Sequence, residues 1–251
     1  ASIQQCCNML NSSFPMLYPM PKKIQLAPSQ AKWQLAAAHS VLVLVGLQNL
    51  RMLQGIQHSD LMNNLIQISN KAKALDIPIV DLYGDDLMQG MQQLGEYASS
   101  HPQLIFAGQV TPMLKQILPH LQSVTEQICV VDDAILLPNQ DQHIQWIENI
   151  SAQGLHHMNS YSLARLWDLS APSNYVLSTK GIMLAVAEQL NMDALEIDPY
   201  IDLKQYGLDS ITIVTLVGTW RAHGANVRYE DIVEHASLHD LVGFILQSAR
   251  S

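Results

Sequence analysis

The sequence predicts an α/β protein: a three-layer, parallel-sheet domain followed by a four-helix domain. Two patterns lead there. Up to about residue 170, short apolar runs rich in β-branched residues alternate with amphipathic helical stretches; beyond it strand signals stop and helical periodicity continues alone. Strands alternating with helices pair in parallel through right-handed crossovers, and such a sheet is covered on both faces.

The elements follow in chain order. Residues 1–30 read as an irregular arm, because Pro15, Pro19, Pro21 and Pro28 interrupt any regular helix. Residues 40–45, Ser-Val-Leu-Val-Leu-Val, form a continuous apolar run, as a strand buried on both faces requires. Asp60 then reads as an N-cap, and Leu61, Leu65, Ile68, Ala72 and Leu75 as one helical face. Further strands are expected at 77–82, 103–107 and 127–131, with helices at 112–121 and 143–151. The small, polar, proline-bearing residues 171–175 read as a linker, which makes 31–170 one domain and 176–251 another. In the latter, Ile182, Val186 and Leu190 mark one helix, and further helices are expected at 211–223, 229–235 and 238–248. Residues 198–206 would be the long loop before the second.

Composition narrows the function classes. Of 251 residues, 48% are hydrophobic and 14% charged, which fits a well-buried core. The formal net charge is −9, and from Val176 onward there are 5 Lys+Arg against 10 Asp+Glu. Such a surface repels nucleic acid and anionic membranes and suits basic partner proteins. No run approaches the roughly 18 apolar residues of a membrane span. With no basic region followed by an apolar core at the start, and with Cys6, Cys7 and Cys129 fitting neither a metal nor a disulfide framework, a cytoplasmic location is expected.

The sharpest motif is Tyr206-Gly207-Leu208-Asp209-Ser210-Ile211, set at the start of a helix. Asp209 is placed to cap that helix, and Ile213, Val217 and Trp220 give it one buried face. Ser210 would then present its hydroxyl at a helix N-terminus, where free N–H groups and the helix dipole favour an anionic phosphodiester. An ordinary N-cap serine is the plain alternative for Asp-Ser alone.

The whole segment, with the helix ending Trp220-Arg221-Ala222-His223-Gly224, resembles the aryl carrier domains of catechol siderophore assembly lines. The resemblance implies that Ser210 bears a 4′-phosphopantetheine arm whose thiol holds an aryl acid, such as 2,3-dihydroxybenzoate, as a thioester. It also implies partners: a phosphopantetheinyl transferase, an aryl-acid adenylating ligase, and the condensation or cyclisation domains of a nonribosomal peptide synthetase. Asp209, Ile211 and Val214 are the docking residues it points to.

The earlier part has its own likeness. Lys32-Trp33, the apolar strand and Gln48, then Leu104-Ile105-Phe106-Ala107-Gly108 and Val130-Val131-Asp132-Asp133-Ala134, resemble the isochorismatase domain that precedes the aryl carrier in the bifunctional proteins of enterobactin and vibriobactin biosynthesis. That family needs a general acid at the end of the first strand, and Gly46 stands there. No Lys or Arg lies between Lys73 and Lys115, where the family's lysine is expected, and the nucleophile position of related hydrolases falls on Leu114. The expectation is therefore a degenerate domain kept as a docking or dimerisation scaffold, with no catalytic residues and no metal site. The alternative is an active isochorismatase, converting isochorismate to 2,3-dihydro-2,3-dihydroxybenzoate and pyruvate, with Asp81, Asp85 or Asp86 rebuilding a site.

Overall fold

A computed structural model describes residues 16–21, 31–83 and 87–249. The chain divides into two compact units. The first comprises Ala1–Gln34, His39–Ser69 and Pro78–Leu163; the second comprises Leu35–Ala38, Asn70–Ile77 and Ala164–Ser251.

The first unit is built on a five-stranded parallel sheet of order β2-β1-β3-β4-β5. Its strands are β1 Ser40–Val45, β2 Ile79–Leu82, β3 Gln103–Gln109, β4 Ile128–Leu136 and β5 His156–Met158. All six residues of β1 are buried, as a strand covered on both faces must be. Helix α1 (Leu47–Arg51) follows β1, and α2 (Asp60–Ala74) leads towards β2. Three more helices complete the crossovers: α3 (Leu87–Ala98), α4 (Pro112–Gln122) and α5 (Gln140–Ala152). Val41, Val43, Phe106 and Val130 pack with Leu94 of α3, Ile117 of α4 and Ile147 of α5 in one apolar cluster. The intervening Leu42, Leu44, Ile105 and Cys129 are equally buried. On β4, Asp133 ties in the next layer: its carbonyl accepts from Asn64 of α2, and its carboxylate accepts from the N–H and hydroxyl of Ser160, the first residue of α6 (Ser160–Ser170).

Several elements differ from the sequence reading. Helix α3 and strand β5 were not expected. The cap of α2 is Ser59, whose hydroxyl accepts from the Met62 N–H at 3.1 Å, one residue before the expected Asp60. Of the expected arm, only 16–21 is described, without regular structure. It is pinned by Tyr18, whose hydroxyl accepts from the Leu137 N–H (2.9 Å) and donates to His143 Nδ1 (2.9 Å), while His143 Nε2–H donates to the Asp132 carbonyl (2.7 Å). Burial pushes the Tyr18 hydroxyl up to about 12 and holds the His143 imidazole below its usual value.

The second unit holds the helices of the C-terminal half: α7 (Ser173–Val176), α8 (Thr179–Gln189), α9 (Ser210–Ala222), α10 (Tyr229–Glu234) and α11 (Leu238–Ser248). The four-helix pattern expected from 176 onward is α8 to α11. Residues 171–175, expected as a linker, include the start of α7, and Ala171 is buried. Leu190 caps α8 from outside the helix, its N–H returning to the Val186 carbonyl. On α9 the buried face is Ile213, Leu216 and Trp220; the expected Val217 is only half-buried, because the stripe steps by three and then four residues.

A buried ionic cluster organises this unit. Lys71 Nζ lies 2.9 Å from Asp168 and 2.8 Å from Glu188, with side chains 10%, 24% and 14% exposed. Burial alone would lower the lysine's pKa, but the charges of Glu188 and Asp168 more than offset it, and the ammonium is held above its ordinary value. Burial likewise pushes the Glu188 carboxyl up. Among the described residues no helix is long and apolar enough to cross a membrane.

Replacing Lys71 by Met would leave two buried carboxylates without their shared cation. We expect the variant to lose about 3–5 kcal/mol in urea unfolding; a loss under about 1 kcal/mol, the scale of an exposed pair, would show that the cluster is screened by solvent.

Candidate functional site

The site at Ser210 is assembled by the loop before it. A 3-10 turn, Leu203–Tyr206, starts at Asp202, whose carboxylate accepts from the Lys204 N–H at 2.9 Å. It ends at Gly207, whose φ of 96° lies in the left-handed region that favours glycine. Leu203, fully buried, donates its N–H to the Ala236 carbonyl, and its own carbonyl accepts from the Leu208 N–H. Leu208 is then buried and turns the chain into α9.

Asp209 is the N-cap. One carboxylate oxygen accepts from the Thr212 N–H at 2.8 Å and from the Thr212 hydroxyl at 2.7 Å. Those bonds, the hydroxyl's foremost, hold its carboxyl below the usual range. Because Asp209 does the capping, the Ser210 hydroxyl is not used for it. Ser210 is exposed at the first position of α9. Ile211 and Val214 are 77% and 61% exposed beside it, while Ile213 faces the core. The structure thus brings Asp209, Ser210, Ile211 and Val214 together on one exposed helix start.

The residues expected in the sheet domain stand differently. Gly46 closes β1 with φ 65° and begins α1. A Cβ there would sit 3.0 Å from Gln109 Oε1, so an acid at this position would meet both backbone strain and Gln109. The neighbouring strand is as close: a Cβ on Gly108, at φ 105°, would lie 2.2 Å from the Val45 carbonyl oxygen. Leu114 is buried in α4, with its N–H bonded to the Thr111 hydroxyl at 3.1 Å. Asp81, at the end of β2, accepts from the Tyr83 hydroxyl at 3.0 Å; Asp85 and Asp86, like Cys6 and Cys7, lie outside the described residues. Cys129 is buried, and burial pushes its thiol well above the usual range, which leaves little thiolate. Among the described residues no three His, Cys, Asp or Glu side chains gather as metal ligands would.

One pairing was not legible in the sequence. His157 Nδ1 on β5 lies 3.0 Å from Asp132 on β4, and that hydrogen bond raises the His157 pKa. Asp132 and Asp133 fall where the β3–β4 register slips, between the pairs Phe106–Val130 and Gly108–Ile135. Both residues lie in that irregular stretch, and no local pattern announces it.

Residues 180–245 match the family described as phosphopantetheine attachment site, and the covalent group such a domain carries is 4′-phosphopantetheine. Over 54 residues, 22% of the chain, the sequence is 41% identical to the phenyloxazoline synthase MbtB of Mycobacterium sp. (strain MCS). The chain spans about 5% of the length of that relative. Among solved structures, YcaC from Pseudomonas aeruginosa with hexane-2,5-diol and covalent acrylamide is similar at a TM-score of 0.46 and 15% identity. That likeness covers 75% of this chain and 98% of YcaC, and it is too distant to bear on function.

The residues at the start of α9 fit a phosphodiester-linked group. Ser210 is exposed in the first turn of α9, where the helix dipole favours an anion, and nothing lies within 4 Å of a Cβ placed on Gly207.

Carboxyl carbon shifts followed by NMR should show Asp209 titrating below the usual carboxylate range, and Thr212→Val should move it back towards the ordinary value. Since the folded value is depressed, the cap's contribution is present above the ordinary carboxylate pKa and is lost as pH falls through the lowered one. Ordinary titration in both proteins would contradict the capping geometry.

Proposed function

We propose that the chain is an aryl carrier protein of a siderophore-type nonribosomal peptide assembly line, with Ser210 as the attachment residue. The single observation that carries this reading is an exposed serine at the first position of α9, capped by its neighbour Asp209 and lying inside the matched residues 180–245. When bound, the group supplies a thiol on a flexible arm, which holds an acyl cargo as a thioester. The chain's own residues do the rest. Ser210 fixes the arm's root at a rigid helix end, so that cargo is delivered from a tethered position at high effective concentration. Asp209 stays ionised beside it and steers basic surfaces, and Ile211 and Val214 offer apolar contact. The partners are a phosphopantetheinyl transferase, an aryl-acid adenylating ligase, and condensation or cyclisation domains. The cargo we propose is an aryl acid such as 2,3-dihydroxybenzoate, and the place of work is the cytoplasm.

For the first unit we propose an isochorismatase-like scaffold without catalysis, serving docking or self-association as a homodimer. Gly46 where an acid is needed, at a left-handed φ where a side chain would be strained and would crowd Gln109, and a buried Leu114 support that role. Removal of a positioned general acid alone costs about 10²–10⁴-fold in rate.

Incubation of the full chain with transferase and coenzyme A should add the mass of one phosphopantetheine, and Ser210→Ala should abolish the gain. The same protein given isochorismate should release no pyruvate above the uncatalysed rate. A mass gain that survives in the variant would overturn the attachment residue, and turnover comparable to a working isochorismatase would overturn the scaffold.

A further inference from the structure

The loop between α8 and α9 carries two large apolar side chains that are mostly exposed: Leu195 is 95% exposed and Tyr200 72% exposed. The backbone beneath them is fixed. Leu195 sits in a 3-10 turn, Ala194–Glu196, whose start is held by Asp193 accepting from the Leu195 N–H at 2.9 Å. The Tyr200 N–H donates to Asp198, and the Asp198 N–H donates to the Tyr206 hydroxyl, both at 2.9 Å. The Pro199 carbonyl accepts from the His239 N–H at 2.8 Å, and the Tyr200 ring lies 5.1 Å from the His239 imidazole. Apolar groups presented by an ordered backbone bind without paying the entropy of ordering a loop.

Their place is the Ser210 end of the bundle. His239 is in the first turn of α11, Leu203 is bonded to Ala236 just before that helix, and Leu208 is bonded back to Leu203 just before α9. The N-termini of α9 and α11 are therefore stitched together through residues 199–208. Leu195 precedes Pro199 by four residues and lies within about 14 Å of it. The same stretch is acidic: between 193 and 209, Asp193, Glu196, Asp198, Asp202 and Asp209 face a single base, Lys204. A surface complementary to this loop has basic groups and an apolar recess.

Enzymes that act on the end of the arm can stand off by its length. The enzyme that installs it cannot, because the Ser210 Oγ itself must reach the pyrophosphate of coenzyme A. There a P–O bond forms to Ser210, the bond to 3′,5′-adenosine bisphosphate breaks, and the serine proton passes to a base on the transferase. An enzyme that holds so many phosphate charges needs a cationic mouth around the serine, the complement of this loop. Building on the assignment of Ser210, we propose that Leu195 and Tyr200 are anchors for the phosphopantetheinyl transferase, with the acidic loop steering its basic face.

The test is the initial rate of mass gain with purified transferase and coenzyme A, for the full chain, Leu195→Ser, the double variant Leu195→Ser with Tyr200→Ser, and Val124→Ser as an exposed apolar control in the first unit. The double variant should raise the KM for the chain about tenfold with kcat within twofold, Leu195→Ser should lie between, and the control should match wild type. Higher ionic strength should raise KM for the wild type. If both variants keep a KM within twofold of wild type, the anchor role is overturned and the Ser210 assignment stands. Absence of any mass gain in the wild-type chain overturns both.

Discussion

The burial of Leu203, with its two backbone hydrogen bonds, is the constraint on which the exposed serine depends. Its N–H reaches Ala236 and its carbonyl receives Leu208, so one side chain in the core sets where the loop ends and where α9 begins. From that point the order is forced. Gly207 makes the left-handed step, Leu208 turns inward, and Asp209 adopts the extended backbone of a cap, which leaves Ser210 outside. The Asp209 carboxylate accepts from both the N–H and the hydroxyl of Thr212, so the cap is made without Ser210, and the serine keeps a hydroxyl that the fold does not need.

The first unit shows the opposite allocation. Its sheet spends its polar residues internally: Asp133 on Ser160 and Asn64, Asp132 on His157, and His143 between Tyr18 and the Asp132 carbonyl. The strand end where α/β sheets gather ligands is drawn tight here, since Gly46 faces Gln109 and Gly108 abuts Val45. Glycine at both positions follows from positive φ and close approach, and neither can supply a proton. The proposed division of labour, a quiet scaffold and a working helix start, rests on this contrast.

Much of this was legible in the sequence because the relevant forces are local. Four strands announced themselves as apolar runs, since a sheet covered on both faces demands them, and the cap at Asp209 follows from residue types at fixed spacing. Strand β5 did not, because His156, His157 and Met158 are three half-buried residues at an edge. Helix α3 was hidden by Gly90 and Gly95, which lower helix propensity and interrupt its apolar face. The pairing of Lys71 with Asp168 and Glu188 joins residues far apart in the chain, and only the fold brings them together. The choice of Leu216 over Val217 reflects a helix period of 3.6, which leaves both spacings open until packing decides.

That one serine carries the arm is open to peptide mapping of the chain co-produced with a phosphopantetheinyl transferase. Trypsin cleaves after Lys204 and Arg221, so the peptide 205–221 contains Ser210 as its only serine. Fragmentation should place the phosphopantetheine on Ser210 and nowhere else. Modification of a serine in any other peptide, with 205–221 unmodified, would contradict it.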